Sequence, residues 1–206
     1  RLEYNFISNN GVIVYNTLVN DIGFDEKQFN ITTNNGDRVT SKILINAAGL
    51  WSDKISSMLG IDDLKIHYCK GEYFKTNRYR NIKSLIYPLP SKISLGIHAA
   101  IQLNGDVLFG PNAYYVNDVD YSIDDSNKND FLSSIKKYID IESKDIWPDF
   151  CGIRPKLQAK GMPFEDFYIK NEIDYGVKNF INLLGIDSPG LTSSLAIAEY
   201  VDTIII

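Results

Sequence analysis

A chain of 206 residues with a net charge of −5, 44% hydrophobic and 23% charged, has an ordinary globular composition and the length for one large domain or two modest ones. The acidic balance excludes a dedicated nucleic-acid binder, which needs a basic surface to neutralise phosphates. No run of about 18 uncharged apolar residues is present to span a membrane, and two cysteines, Cys69 and Cys151, are too few for a disulfide framework.

The opening "RLEYNFISNNG" carries no initiator Met and reads as the middle of an element. "GVIVYNT" predicts a short buried strand, being enriched in β-branched residues. "LVNDIGFD", "QFNITTN" and "VTSKILINAAG" follow, separated by "DEK" and "NNGD"; Asn and Gly tolerate positive φ, so residues 17–48 read as a three-stranded antiparallel meander. Its last strand ends in an unbroken apolar run, as a strand buried on both faces would. "AAGLWSDKISSMLG" predicts a helix starting near Trp51 or Ser52 and closed by Gly60.

The middle of the chain is strand-like and aromatic: "HYCKGEYFKT", "SLIYPLP", "SLGIHAAIQLN" and "DVLFGPN", with a hairpin turn at Asn104-Gly105-Asp106. Apolar residues at 131, 132, 135, 138, 139 and 141 give residues 126–141 a helical period. The strands "FCGIRPKL" and "DFYIKNEI" come next, then the buried strand "FINLLGI", the turn "DSPG" and a final helix from Leu191. Glu199 and Asp202 interrupt the apolar run of that helix, which reads as a buried core helix. The organisation is α+β. Two apolar strands, "ILINAAG" and "FINLLGIDSPG", each run into a Gly turn and a helix, an arrangement that presents backbone donors to an anionic ligand.

"GIRPKL" places Arg154 and Lys156 on one side of an extended strand, because side chains there repeat with period two. Pro155 removes a donor, which favours an edge strand or a cavity wall. A guanidinium in an apolar flank is costly unless it meets an anion, and its planar fork matches a carboxylate. Lys156 is either a second contact or a solvated charge. The acids of "IDD" and "DVDY" read as solvated loop charges, since no His or Cys joins them at ligand spacing; no metal site is expected. Glu72 reads as an anchor for a neighbouring loop, and His67 as structural. Nothing in the spacing of Cys69 and Cys151 suggests a redox pair.

Several stretches together resemble one family. "ILINAAGLWSDKISSMLG" is similar to a flavin-contacting segment of the FAD-dependent amino-acid-oxidase superfamily. "KGEYF", "LIYPLP", "LGIHAAIQLNGDVLFGPNA", "PDFCGIRPKL" and "LLGIDSPGLTSSLAIAEYV" resemble, in the family's order, its L-2-hydroxyglutarate dehydrogenase branch. Cys151 and the pair Ala99-Ala100 depart from the branch pattern. The resemblance implies FAD as cofactor, a small carboxylate as substrate and oxidation of an L-2-hydroxy acid, L-2-hydroxyglutarate in the first place, to the 2-oxo acid. Oxidation of an amino acid, an N-methyl amino acid or glycerol 3-phosphate is the alternative within enzymes. A non-catalytic remnant packed on a partner with the nucleotide fold is the alternative outside them.

The resemblance further implies Arg154 as the carboxylate clamp and His98 as the base that takes the hydroxyl proton. A neutral imidazole suits that role, and a backbone-bonded core histidine is the other reading. Tyr73 either closes the pocket or donates its hydroxyl to the carboxylate, a core or surface role being the other reading. The flavin would meet the backbone at Val19, the segment Asn46, Ala47, Ala48, Gly49 with Trp51, and the turn from Gly185 through Ser188, Gly190 and Leu191 to Thr192. Ser188 or Thr192 capping the last helix is compatible with that. The superfamily's N-terminal G-x-G-x-x-G unit is absent from the sequence, so the FAD site is expected to be incomplete. The chain resembles the C-terminal half of such an enzyme, with the N-terminal half as its partner on the same or a separate chain. Residues 1–61 and 178–206 are then the rest of the FAD-binding domain, and residues 62–177 an antiparallel-sheet substrate domain. The expected location is cytoplasmic, or peripheral at the inner face of the membrane.

Overall fold

A computed structural model describes residues 1–89 and 96–206. The chain begins with a short helix, α1 (Leu2–Ser8), none of whose side chains is buried. The buried strand expected next does not form: residues 11–17 are irregular, and Val12 is 80% exposed. A β-branched run becomes a strand only beside a sheet edge. Here the polar groups find local partners instead, the Gly11 N–H donating to the Phe6 carbonyl and the Tyr15 hydroxyl to Glu3.

The meander follows as β1 (Val19–Phe24), β2 (Phe29–Thr33) and β3 (Arg38–Ser41), paired antiparallel in that order. Ile22 and Phe29 turn inward onto Phe180 and Ile61. The single strand expected from "VTSKILINAAG" is two strands in two sheets. The Ser41 hydroxyl donates to the Ile43 carbonyl at 2.5 Å, the chain bends, and β4 (Leu44–Asn46) joins a second sheet at its edge. As an edge strand β4 is not buried on both faces, and Ile45 is 47% exposed. A tight turn at Gly49–Trp51 leads into α2 (Ser52–Ser57), and Gly60 at φ +79° closes the segment.

A five-stranded antiparallel sheet occupies the middle of the chain. It contains β5 (His67–Thr76), the hairpin of β6 (His98–Ile101) and β7 (Val107–Gly110) around Gly105, and the short β8 (Tyr114–Val116), which the sequence reading missed. After α3 (Lys128–Ile135) comes β9 (Trp147–Lys156). "SLIYPLP" contributes one bridge, Ile86 to Ala99, and not a strand; Pro90 at its end, and Ser94 and Leu95 at the start of "SLGIHAAIQLN", lie outside the described residues. The helix expected over 126–141 stops at Ile135, and the turns after it carry Ile139 and Ile141 into the same core. There Phe131, Leu132 and Ile135 pack on Phe74, Val107 and Phe109.

The second sheet is completed by β10 (Tyr168–Asn171) and β11 (Phe180–Leu184), with β11 antiparallel to β10 and parallel to β4. The final helix, α4 (Ser194–Ile204), starts three residues later than expected and buries only Val201. It rests Ile197, Val201 and Ile204 on Ile181 and Leu183 and turns Leu195 and Tyr200 outward, so it is not a core helix. Ser188 and Thr192 do not cap it; its N-cap is Ser193, whose hydroxyl donates to the Pro189 carbonyl. No helix among the described residues is long and apolar enough to cross a membrane.

A buried polar network ties this sheet to α2. Asn182, fully buried, donates to Ser56 Oγ at 2.9 Å and to Glu172 Oε1 at 2.8 Å, and accepts from Asn46 Nδ2 at 2.7 Å. Asn46 Nδ2 also reaches the Ser52 carbonyl, and its Oδ1 accepts the Ala48 N–H, so one side chain fixes the turn after β4. Burial holds the Glu172 carboxyl above the usual carboxylate range, against the hydrogen bonds from Asn182 and Tyr168. Replacing Asn182 by Ala strands several of these groups at once. The substitution is expected to lower the free energy of unfolding by about 2–4 kcal/mol in urea denaturation, and a loss under about 0.5 kcal/mol would show the network to be idle.

Candidate active site

Nine residue pairs join β5 to β9, and the register decides what each face carries. Cys69 opposes Arg154, Gly71 opposes Gly152 and Tyr73 opposes Phe150, all on one face; Lys70 and Glu72 alternate onto the other. Among the described residues β9 pairs with β5 alone, so the strand of Pro155 is an edge, as its proline predicts.

The first face walls a cavity of about 430 Å³ lined by Cys69, Tyr73, Tyr87, His98, Arg154 and Lys156, with Asp187 and Ser188 from the turn after β11. A second cleft of about 560 Å³ adjoins it, sharing Tyr73, Arg154, Asp187 and Ser188 and continuing past Gly152 to Leu191 and Thr192. The Arg154 guanidinium lies over Gly71, where an added Cβ would come within 2.6 Å of Nη1. That Nη1 is buried and has no hydrogen-bond partner among the described residues. A buried guanidinium donor without an acceptor is costly and marks a place for an anion.

His98 is half-buried, and its Nδ1 is likewise buried without a partner. Its ring stacks on Tyr87 at 4.5 Å between centroids. Burial lowers its pKa below the ordinary imidazole value, with a Gly96 backbone contact opposing, so the ring is neutral at pH 7. Tyr73 stacks on Phe150 at 4.5 Å, and burial raises its phenol pKa while the Arg154 charge opposes. Lys156 Nζ lies 2.5 Å from Asp187 Oδ2. Asp187 reads in sequence as a turn residue and Tyr87 as part of an aromatic strand, and neither stood out as a site residue.

The opposite face is structural. Glu72, 3% exposed, accepts from the Tyr114 hydroxyl at 2.7 Å and from Asn127 and Asn112 Nδ2 at 2.6 and 3.1 Å, anchoring the loops around them as its position suggested. Cys151 shares that face while Cys69 faces the cavity, so the sheet separates the two thiols, and both are free.

The Gly turns meet at a third, largely apolar cleft of about 480 Å³, where Ala47 and Gly49 face Gly190 and α4. Gly49 sits at φ +58° with open space where a Cβ would stand, and Gly185 at φ +70° packs on Leu157. The Leu191 and Thr192 N–H groups have no acceptor among the described residues. Not every expected residue gathers here. Asn46 is buried in the network below the turn, Trp51 is 53% exposed and lines none of these clefts, and Val19 lies in the meander opposite Thr33.

A guanidinium with a buried, unpartnered Nη1 and a half-buried imidazole thus lie beside a Gly turn and a helix. The chain belongs to the DAO family of FAD dependent oxidoreductases, whose model matches residues 2–203. It is 32% identical over 230 residues to the mitochondrial L-2-hydroxyglutarate dehydrogenase of Arabidopsis thaliana, covering 98% of this chain and 48% of that protein. To the glycerol 3-phosphate oxidase of Mycoplasma genitalium it is 31% identical, covering 94% and 51%. The FAD-bound L-alpha-glycerophosphate oxidase of Mycoplasma pneumoniae shares the fold, with a TM-score of 0.81, 24% identity and coverage of 99% of this chain and 54% of that one. The chain thus spans about half the length of these relatives.

FAD is the cofactor of this family, and the residues present fit part of such a group: a Gly49 turn without Cβ and free N–H donors at Leu191 and Thr192. The sequence holds no G-x-G-x-x-G unit for the pyrophosphate. The 206-residue chain purified alone is therefore expected to carry little flavin, and a stoichiometric flavin absorbance spectrum from it would overturn this.

Proposed function

We propose that this chain forms the substrate side and part of the flavin side of an enzyme that oxidises an L-2-hydroxy acid, L-2-hydroxyglutarate, to the 2-oxo acid. The observation that carries the reading is the pair of buried, unpartnered atoms on one cavity, Arg154 Nη1 and His98 Nδ1. The first is a donor suited to a carboxylate and the second a site for a hydroxyl proton. The identity to the Arabidopsis dehydrogenase along nearly the whole chain supports the same substrate.

Arg154 holds the substrate carboxylate, and Tyr73, stacked on Phe150, closes the pocket beside it. His98 takes the hydroxyl proton on Nδ1, its ring held by Tyr87. FAD, when bound, supplies the acceptor for the hydride that leaves the α-carbon. The turn from Ala47 to Gly49 and the segment from Gly185 to Thr192 would hold the cofactor, whereas Val19, Asn46 and Trp51 lie outside the cleft these turns border. Residues 1–61 and 178–206 form the flavin-side unit and residues 62–177 the substrate unit, although β10 within the latter pairs with β11. The N-terminal half of the enzyme, on this or another chain, provides the pyrophosphate site. Glycerol 3-phosphate is the second reading, favoured by the 31% identity to the Mycoplasma genitalium oxidase. Rates of flavin reduction with each substrate decide between them.

In the flavin-loaded enzyme Arg154→Lys is expected to weaken substrate binding roughly 30- to 1000-fold, about 2–4 kcal/mol, and to leave flavin content unchanged. Unchanged kinetics with every 2-hydroxy acid tested would place the clamp elsewhere.

His98→Ala is expected to slow flavin reduction about 10²- to 10⁴-fold with a much smaller effect on affinity. Because burial lowers the His98 pKa, the parental reduction rate should rise with pH through one ionisation below the ordinary imidazole value and be flat at neutrality. That step should vanish in the variant. Rapid mixing across the pH range reads both, and a variant that reduces its flavin at the parental rate would make His98 a pocket wall.

A further inference from the structure

The cavity holds a second cation that the proposed chemistry leaves unused. Lys156 stands two residues from Arg154 on the same strand face, about 6.6 Å along it, a span that a five-carbon diacid covers. Its side chain is 20% exposed, with Nζ 2.5 Å from Asp187 Oδ2; the Asp187 side chain is 8% exposed. The Phe164 ring lies 5.7 Å from the same nitrogen. The turn fixes Asp187, whose N–H donates to the Gly185 carbonyl and whose carbonyl accepts the Gly190 N–H.

We infer that Lys156, steadied by Asp187, is the residue that recognises a second anionic group on the ligand, so that the site favours dianionic over monoanionic acids. The inference rests on the reading of Arg154 as clamp for the head carboxylate. An ammonium has three N–H donors, and Asp187 occupies one of them. Pulling Lys156 away would strand a buried carboxylate, which costs more than a single ligand contact returns. Lys156 therefore stays with Asp187 and turns a remaining N–H to the ligand. Asp187 also cancels most of its charge, which leaves Arg154 as the one uncompensated cation among the described lining residues. A monoanion gains nothing from Lys156, whereas a distal carboxylate gains a charge-assisted hydrogen bond.

The test is calorimetric titration of the flavin-loaded protein with 2-oxoglutarate and 2-oxopentanoate, which share the head group, differ in the second carboxylate and cannot surrender a hydride. The diacid is expected to bind about 10-fold tighter than the monoacid. Lys156→Met should collapse that ratio to within about 2-fold while changing monoacid affinity by less than about 3-fold. Lys156→Met combined with Asp187→Asn, which strands no charge, should do the same. Asp187→Asn alone should raise diacid affinity roughly 3- to 10-fold, since the ammonium charge is no longer cancelled, and monoacid affinity by less. A ratio that survives both Lys156 variants, or an equal loss for both ligands, overturns the inference. Arg154→Lys separates it from the underlying reading: if that change leaves both ligands unaffected the head-group clamp fails, whatever the Lys156 ratio shows.

Discussion

Strand β5 cannot shift against β9 by a single residue without exchanging every side chain between its two faces. In the register observed, Arg154 and Lys156 look into the cavity while Lys70 and Glu72 hold loops on the other side. A slip of one would either bury the loop anchors of β5 in the cavity or turn the guanidinium of β9 toward the α3 core. The core contacts of Phe74 with Phe131 and the three side-chain bonds to Glu72 therefore work for the site, because they make the alternative register costly. Arg154 is aimed by packing that it never touches.

The second support of the site comes from the turns, and it reaches the cavity through side chains. Asn182 and Asn46 hold the turn after β4 from beneath, and the contact of Lys156 with Asp187 pins the turn after β11 to β9. Asn46 and Asn182 join β4 to β11, Asn182 and Ser56 join β11 to α2, and Lys156 joins β9 to the turn after β11. The strand that carries Arg154 and the turns after β4 and β11 are thus tied to one another by side chains.

Much of this was readable in the sequence where the physics is local. Period two placed Arg154 and Lys156 together, Asn-Gly turns marked the meander, and "HYCKGEYFKT" coincides with β5. What failed depended on neighbours far along the chain. "GVIVYNT" has the composition of a strand but pairs with no sheet among the described residues. "VTSKILINAAG" has the pattern of one strand, yet β3 finds its partner in β2 and β4 in β11. The apolar run of α4 says that the helix can be buried, while the number of faces covered depends on what packs there. Arg154 stood out in the sequence as a cation in an apolar flank and His98 through the family resemblance, and the structure brings both to one cavity. Asp187 and Tyr87 did not stand out, because a turn acid and a strand tyrosine acquire meaning only from the Lys156 and His98 that they touch.

The two glycines that face each other across the ribbon would fail in opposite ways. At Gly71 a methyl group would collide with the Arg154 guanidinium, so a larger residue would displace the protein's own side chain. At Gly152 nothing lies within 4 Å of where that methyl would stand, and the space belongs to the cleft. A side chain there would leave every protein contact intact and take up part of the cleft above the bare peptide floor. The same Gly-to-Ala change would thus move a charged group at residue 71 and alter only the shape of the cleft at residue 152.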